Sequence, residues 1–355
     1  MKALTLQQVA EFSGGRLVSN GNGSAITRVS TDSRAVASGD LFVALAGDRF
    51  DAHDFVGSVA AGVSGILVSR IDPAWGGLPC GVVEVPDTLE GLQNLAREYR
   101  KWLGIRIVGL TGSNGKTSTK DLTAAVLEKK FQVRATRGNL NNHIGVPLTL
   151  LSFEAGDEYG VVEMGMNHAG EIKVLVDIAL PDTAVVTNVG IAHIENLGSQ
   201  AAIAKEKGSL PANVQSGGVV ILNANDSYSV DIARQCQAEV FTAGIGAGDV
   251  QARDLRPEGN GTVFTLDFAG ETVEAFLPVA GEHMVANAAL AACLGWREGI
   301  PPEAIADALR GVRLTGGGME VKELCGVRFI DDSYNANPDS MRAGLSTLAA
   351  TAGTH

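Results

Sequence analysis

A chain of 355 residues that is 45% hydrophobic and 19% charged exceeds what one hydrophobic core organises and excludes a disordered protein, so two or three domains are expected. Its formal net charge of -12 argues against nucleic acid or an anionic membrane as main partner, because both demand a basic face. No apolar run reaches the roughly eighteen residues of a membrane span, and Gln7, Gln8 and Glu11 interrupt what a signal peptide needs, so no membrane association and a cytoplasmic location are expected.

In chain order, the first 84 residues read as a small α/β unit. A helix near 4–12 ends at Gly14-Gly15, strands follow near 26–30 and 41–45, and a helix and a strand lead to Val68. A second unit opens at Asp87, read as an N-cap, with Leu89, Leu92, Ala96, Tyr99 and Leu103 on one helical face. The apolar run Ile105, Ile107, Val108, Leu110 then delivers the chain to Thr111-Gly112-Ser113-Asn114-Gly115-Lys116-Thr117-Ser118, followed by helix-forming sequence at 121–129. Gly112 and Gly115 permit positive φ, so successive N–H groups and a helix N-terminus converge on one anion. Lys116 can reach the β/γ-phosphates of ATP, and the Thr117 hydroxyl can take one position on the accompanying magnesium (Mg2+). The GxxxxGK[ST] spacing would place glycine at 110, where Leu110 stands; the alternative is an ordinary glycine-rich turn with a surface lysine.

Asn139, Asn141 and Asn142, framed by Gly138 and Gly145, offer amides to a sugar or peptide, or form a plain polar loop. Apolar strands near 161–163, 184–188 and 219–223, each followed by helical sequence, give repeated βα units and a largely parallel sheet with the phosphate loop at its carboxyl edge. Glu163 ends the first of these strands, where it can hold magnesium or stand as a solvated carboxylate. His193 lies at the equivalent edge as a second ligand, or as a hydrogen-bonded loop histidine. Lys205 and Lys207 follow on a helix. An ammonium facing a dication at ~4 Å is opposed by about 8 kcal/mol at an effective dielectric near 20, so such a lysine must be neutral or converted to an anion, unless both lysines only decorate an exposed face.

Alternation in 253–279, broken at Ala269-Gly270, reads as an antiparallel hairpin appended to the sheet. Helices near 284–296 and 302–309 follow, then a flexible joint at Gly316-Gly317-Gly318, two strands near 320–324 and 327–330, a loop at 331–339 and a helix. Cys80, Cys236, Cys293 and Cys325 form no CxxC pair, so reduced thiols are expected rather than a zinc site or disulfides. No NKxD string appears, which disfavours a switch GTPase.

Taken together, TGSNGKT (111–117), GNLNNHIGVPLTLL (138–151), EMGMNHAGEI (163–172), TNVGIAHIENLGS (187–199), AKEKG (204–208) and DDSYNANP (331–338) resemble the Mur ligase family. TGSNGKT is shared with folylpolyglutamate synthetase; the later strings are narrower. STDSR (30–34) and DLFVALAGDRFDAHDF (40–55) look like the family's uridine-nucleotide-binding domain. The resemblance implies an α/β protein of three parts: a nucleotide-sugar-binding domain at 1–84, a central P-loop ATPase domain with a mostly parallel sheet at 85–314, and the start of a Rossmann-like ligase domain at 315–355. It implies a monomeric ATP- and Mg2+-dependent amide ligase joining D-alanyl-D-alanine to UDP-N-acetylmuramoyl-tripeptide through an acyl phosphate. The alternatives are another Mur-type or folylpolyglutamate-like ligase, or a nucleotide-binding fragment without turnover.

By the same resemblance Thr117, Glu163, His193 and Lys205 hold metal, with Lys205, preferred to Lys207, carbamylated. Asn287 meets adenine, Asp332, Asn335 and Asn337 lie near ribose and phosphate, and Ser33 and Arg34 meet the uridine diphosphate. Family members carry an arginine near the second hinge that reaches the γ-phosphate; here Gly316-Gly317-Gly318 stand there, with Arg313 nearby, so that contact is expected to be absent. With the third domain represented only from about Met319 onward, weak nucleotide binding and poor turnover are expected of this chain.

Overall fold

The computed structural model describes residues 1–47, 49–75, 77–315, 320–324, 327–331 and 336–350. The chain forms two compact units: Met1–Ile105 with Asn139–Asp157 and Asp177–Leu180, and Arg106–Gly138 with Glu158–Val176 and Pro181–His355.

In the first unit the helix Leu6–Ser13 starts at a capping box, in which the Thr5 hydroxyl accepts from the Gln8 N–H and the Gln8 side chain accepts from the Thr5 N–H. The Gly14 N–H closes its far end, donating back to the Ala10 and Glu11 carbonyls. A five-stranded sheet runs Arg16–Ser19, Gly81–Glu84, Gly65–Val68, Asp40–Val43, Arg28–Ser30, with only the first pair antiparallel. The helix Thr88–Leu103 is capped by the Asp87 carboxylate, which accepts from the Leu89 and Glu90 N–H groups at 2.8 and 2.9 Å. Its inner face carries Leu92, Leu95, Ala96 and Tyr99, and the Tyr99 hydroxyl donates to the Phe153 carbonyl at 2.7 Å. A buried leucine side chain contributes about 1.5–3 kcal/mol, so Leu92 and Leu95 anchor the helix by this face.

The second unit is built on nine strands in the order Glu271–Leu277, Gly261–Phe268, Val250–Glu258, Glu239–Ile245, Val219–Asn223, Thr183–Val186, Arg106–Thr111, Tyr159–Glu163, Val133–Ala135. From Val250–Glu258 onward all neighbours are parallel; the first two strands form the expected hairpin, turning at Ala269 and Gly270. Every residue from Ile107 to Thr111 is buried, as a strand covered on both faces requires. The helices Lys116–Leu127 and Glu282–Arg297 pack on one another and share a core with Val108, Leu110, Val161, Val185 and Ile221. The helix expected at 121–129 begins earlier, at Lys116, because Gly115 turns the chain straight from the loop into helical conformation.

The two strands Glu320–Leu324 and Val327–Asp331 pair antiparallel and precede the helix Pro338–Ala350. Among the described residues no helix is long and apolar enough to cross a membrane.

Candidate active site

All of the phosphate-loop geometry lies within the second unit. The loop joins the strand Arg106–Thr111 to the helix Lys116–Leu127 and is lashed to the end of the neighbouring strand. Ser113 N–H donates to the Asn188 carbonyl at 3.0 Å, and Asn114 N–H donates to Asn188 Oδ1 at 3.0 Å. In return the Thr187 hydroxyl and Asn188 Nδ2 donate to the Asn114 carbonyl at 2.6 and 3.0 Å. Two glycines make this closeness possible. A Cβ on Gly112 would stand 1.8 Å from Thr187 Oγ1, and one on Gly115, whose φ is +76°, would stand 2.6 Å from Asn287 Nδ2. Thr111 is buried with its hydroxyl donating to the Met164 carbonyl, and Ser118 continues the first helical turn.

At the head of that helix the Lys116 ammonium donates to the Gly112 carbonyl at 3.1 Å. Thr117 Oγ1 donates to Glu163 Oε2 at 3.0 Å, and Glu163 is only 2% exposed. A hydroxyl beside a buried carboxylate is the hard-oxygen donor set that magnesium takes. Among the described residues no three His, Cys, Asp or Glu side chains gather into a self-contained metal cage. The Thr117–Glu163 pair fits an ion such as Mg2+, which is commonly bound through one or two protein oxygens together with water and phosphate.

Opposite these groups the cations are held under stress. Burial pulls the Lys116 amine below its usual value, with the Glu163 carboxylate pulling back. Burial, then Lys207, then Lys116, lower His193, against Glu195 and Glu171. His193 has a left-handed φ of 65° as it opens the short helix Ile194–Leu197, a conformation uncommon for a residue with a side chain.

The helix Gln200–Ala212 presents Lys205 and Lys207 on different faces. Lys205 is exposed, whereas Lys207 is 1% exposed and its amine lies well below the usual lysine value through burial and the charge of Lys116. The physical reason is helical phase: Lys207 shares the buried face of Gln200–Ala212 with Ile203, Ala204, Leu210 and Pro211, and Lys205 points the other way. Its neighbour Glu206 accepts from the Gly170 and Ile172 N–H groups, both at 2.8 Å, and so ties this helix to the start of Glu171–Ala179.

Asn287 is buried against Gly115. Asn337 Nδ2 donates to Asn114 Oδ1 at 2.6 Å, and Asp339 Oδ2 accepts from the Ile191 N–H at 3.1 Å. Asp332, Asn335 and the joint Gly316-Gly317-Gly318 lie outside the described residues. Arg313 is exposed, and with Lys120 and Arg137 it lines a cleft of about 500 Å³.

In the first unit Ser33 is half-buried, and Arg34 is exposed and paired with Asp32 through Nε and Nη2, both at 2.9 Å. That pairing brings the Asp32 carboxyl down to about 2. Asn139 is exposed and its carbonyl accepts from the Asn141 N–H. Asn142 Oδ1 accepts from the Ile144 and Gly145 N–H groups, so this side chain supports the start of Gly145–Leu151.

Thr187 and Asn188, inside the 187–199 string, and Asp339 make hydrogen bonds around the loop to which sequence reasoning gave no role. For the first two the available signal was position: they follow directly on the strand that neighbours the loop strand, where a parallel sheet presents its edge.

Residues 110–295 match the Mur ligase middle domain, and residues 25–100 match the catalytic domain of the Mur ligase family. The chain is similar to the UDP-N-acetylmuramoyl-tripeptide--D-alanyl-D-alanine ligase of Bacillus subtilis, 39% identical over 355 residues that cover 98% of this chain and 76% of that protein. A crystal structure of MurF from Acinetobacter baumannii superposes with a TM-score of 0.93 at 33% identity, over 99% of this chain and 78% of that one. The MurF ligase of Thermotoga maritima, solved in complex with ADP, gives 0.83 at 28% identity, over 92% and 75%.

Proposed function

Because the chain belongs to the Mur ligase family, we propose that it joins D-alanyl-D-alanine to UDP-N-acetylmuramoyl-tripeptide with conversion of ATP to ADP and phosphate, a step of peptidoglycan precursor synthesis. The observation that carries this reading is the convergence, in one unit, of the Lys116 loop, the Thr117–Glu163 pair and the buried Lys207.

The reaction brings a carboxylate to a triphosphate, and the difficulty is charge. The tripeptide's terminal carboxylate takes the γ-phosphoryl group to form an acyl phosphate; the amine of D-alanyl-D-alanine then attacks the carbonyl, forming an amide as phosphate leaves. Loop N–H groups and Lys116 are placed to hold the phosphates. Magnesium, held by Thr117 and Glu163 when bound, neutralises charge on the phosphate oxygens. Lys207, rather than Lys205, is the proposed carbamate: its buried amine, whose neutral form burial and the charge of Lys116 favour, attacks carbon dioxide, loses a proton and becomes an anion suited to a second metal near His193. Holding the attacking amine in place contributes up to about 7–11 kcal/mol.

Asn287 is proposed to meet adenine, Asn337 with Asp332 and Asn335 the ribose and phosphates, Ser33 and Arg34 the uridine diphosphate, and Asn139, Asn141 and Asn142 the sugar or peptide. The proposed functional division is 1–84 for the nucleotide sugar, 85–314 for ATP and 315–355 for the ligase segment. A cytoplasmic monomer is part of this proposal.

The test is phosphate release by the chain with ATP, magnesium and UDP-N-acetylmuramoyl-tripeptide, with and without D-alanyl-D-alanine. Release that needs both substrates supports the reading. Release indifferent to D-alanyl-D-alanine, or supported instead by a single amino acid or a folate, overturns it.

A further inference from the structure

Lys120 is a buried cation to which the reading above gives no role. It lies one turn beyond Lys116 on the helix Lys116–Leu127, is 2% exposed, and pairs with Asp121 at 3.0 Å. A methionine would fill a similar volume without the desolvation penalty of an ammonium, so packing alone does not call for a charge there.

Its ammonium makes two further contacts. It donates to the Thr136 carbonyl at 3.0 Å and to Thr315 Oγ1 at 3.3 Å. Thr136 stands just past the strand Val133–Ala135, so the ladder that pairs Ala135 with Val161 has run out when the neighbouring strand reaches Glu163. The Thr136 hydroxyl replaces the missing backbone acceptor: the Glu163 N–H donates to it at 3.0 Å. Glu163 in turn accepts from Thr117, three residues before Lys120 on the same helix. The contacts therefore close a ring that begins and ends on one helix and has the Thr117–Glu163 pair as a member.

A branch leaves the ring at Lys120 and reaches Thr315, whose N–H donates to Asp121 Oδ2 at 2.7 Å and whose hydroxyl lies 2.9 Å from the same oxygen. This pins the segment that follows the helix Pro302–Gly311 to the helix that starts at the phosphate loop.

We propose that Lys120 is a positioning residue for the reaction: through Thr136 it fixes the main chain of Glu163 at the magnesium position, and through Thr315 it couples that position to the segment leaving Pro302–Gly311. The proposal rests on the ligase reading of the loop. Groups that orient a metal ligand from behind typically govern metal affinity by about 10–100-fold.

The experiment is calorimetric binding of a non-hydrolysable ATP analogue to the full chain, with magnesium titrated from zero, alongside thermal unfolding. Lys120→Met is expected to raise the magnesium midpoint about 10-fold or more while affinity for the metal-free nucleotide stays within about twofold. Thr136→Val should do the same and Thr136→Ser should not, since serine keeps the hydroxyl. Thr315→Val, at an exposed residue, should move the midpoint in the same direction. If Lys120→Met fails to fold, the Thr136 pair and Thr315→Val decide.

Magnesium midpoints that stay at the wild-type value in folded variants overturn the proposal, as does equal loss of affinity with and without magnesium, the mark of a merely structural role. A shift in Lys120→Met with none in Thr315→Val overturns the coupling to the later segment. Wild-type protein without magnesium-dependent nucleotide binding overturns the ligase reading itself and this proposal with it.

Discussion

The Thr117 hydroxyl and the Glu163 carboxylate meet at 3.0 Å although 46 residues separate them, because parallel pairing sets the last residue of one strand beside the loop that follows the next. Glu163→Gln keeps the shape and a hydrogen-bond acceptor and removes the charge. ATP turnover is expected to fall about 10²–10³-fold, the usual consequence of losing one electrostatic contact to a transition state, roughly 2.7–4 kcal/mol. Thermal unfolding should move little. A coupled phosphate assay beside a melting curve checks both; unchanged turnover would remove Glu163 from the metal position.

Gly115→Ala tests the loop by geometry alone. At φ +76° any L side chain is strained, and the added carbon would meet Asn287 Nδ2 at 2.6 Å. Strain of this kind costs about 1–3 kcal/mol. The unfolding midpoint should drop and nucleotide affinity should fall with it. Gly104→Ala is the control: it shares the positive φ, at +69°, with nothing within 4 Å of its added carbon, so it should lower stability and leave nucleotide affinity alone.

Much of this was legible in the sequence. Buried strands read as apolar runs, and Asp87, Gly14 and Ala269-Gly270 signalled a cap, a stop and a turn through local chemistry. Glu163 could be placed because a strand's last residue faces the ligand edge of a parallel sheet. The burial of Lys207 was also legible, although the resemblance led to a preference for Lys205: Ile203 and Leu210 lie four before and three after Lys207, so helical phase puts Lys207 inward. Thr136 and Thr315 were out of reach. Their roles depend on where a short strand stops and on contacts 195 residues apart along the chain, and no local pattern encodes either.

Asp87→Ala probes the first unit. The carboxylate satisfies two N–H groups at the start of Thr88–Leu103, and its loss should cost about 0.5–2 kcal/mol. Denaturant unfolding followed by tryptophan fluorescence should shift to a lower midpoint. Affinity for a magnesium–nucleotide should be unchanged, since the loop residues belong to the other unit. A variant with the wild-type midpoint would mean that the cap contributes nothing net to folding.

The buried amine of Lys207 makes a prediction whose sign can be worked out. Burial and the charge of Lys116 hold it well below its ordinary value of 10.5, so between its folded and unfolded values the unfolded chain carries a proton that the folded one lacks. Stability then rises with pH, by up to about 1.4 kcal/mol per unit for one proton, until pH passes 10.5. Lys207→Met lacks this contribution, so wild type should gain on it steadily through the alkaline range, as read by urea midpoints in buffer freed of carbon dioxide. Added bicarbonate should flatten the difference, since a carbamate no longer titrates as an amine. Lys205→Met, changed at an exposed position, should stay within about 0.5 kcal/mol of wild type throughout. Parallel profiles for wild type and Lys207→Met would show that the Lys207 amine keeps its proton in the folded chain, and carbamate chemistry at that position would go with it.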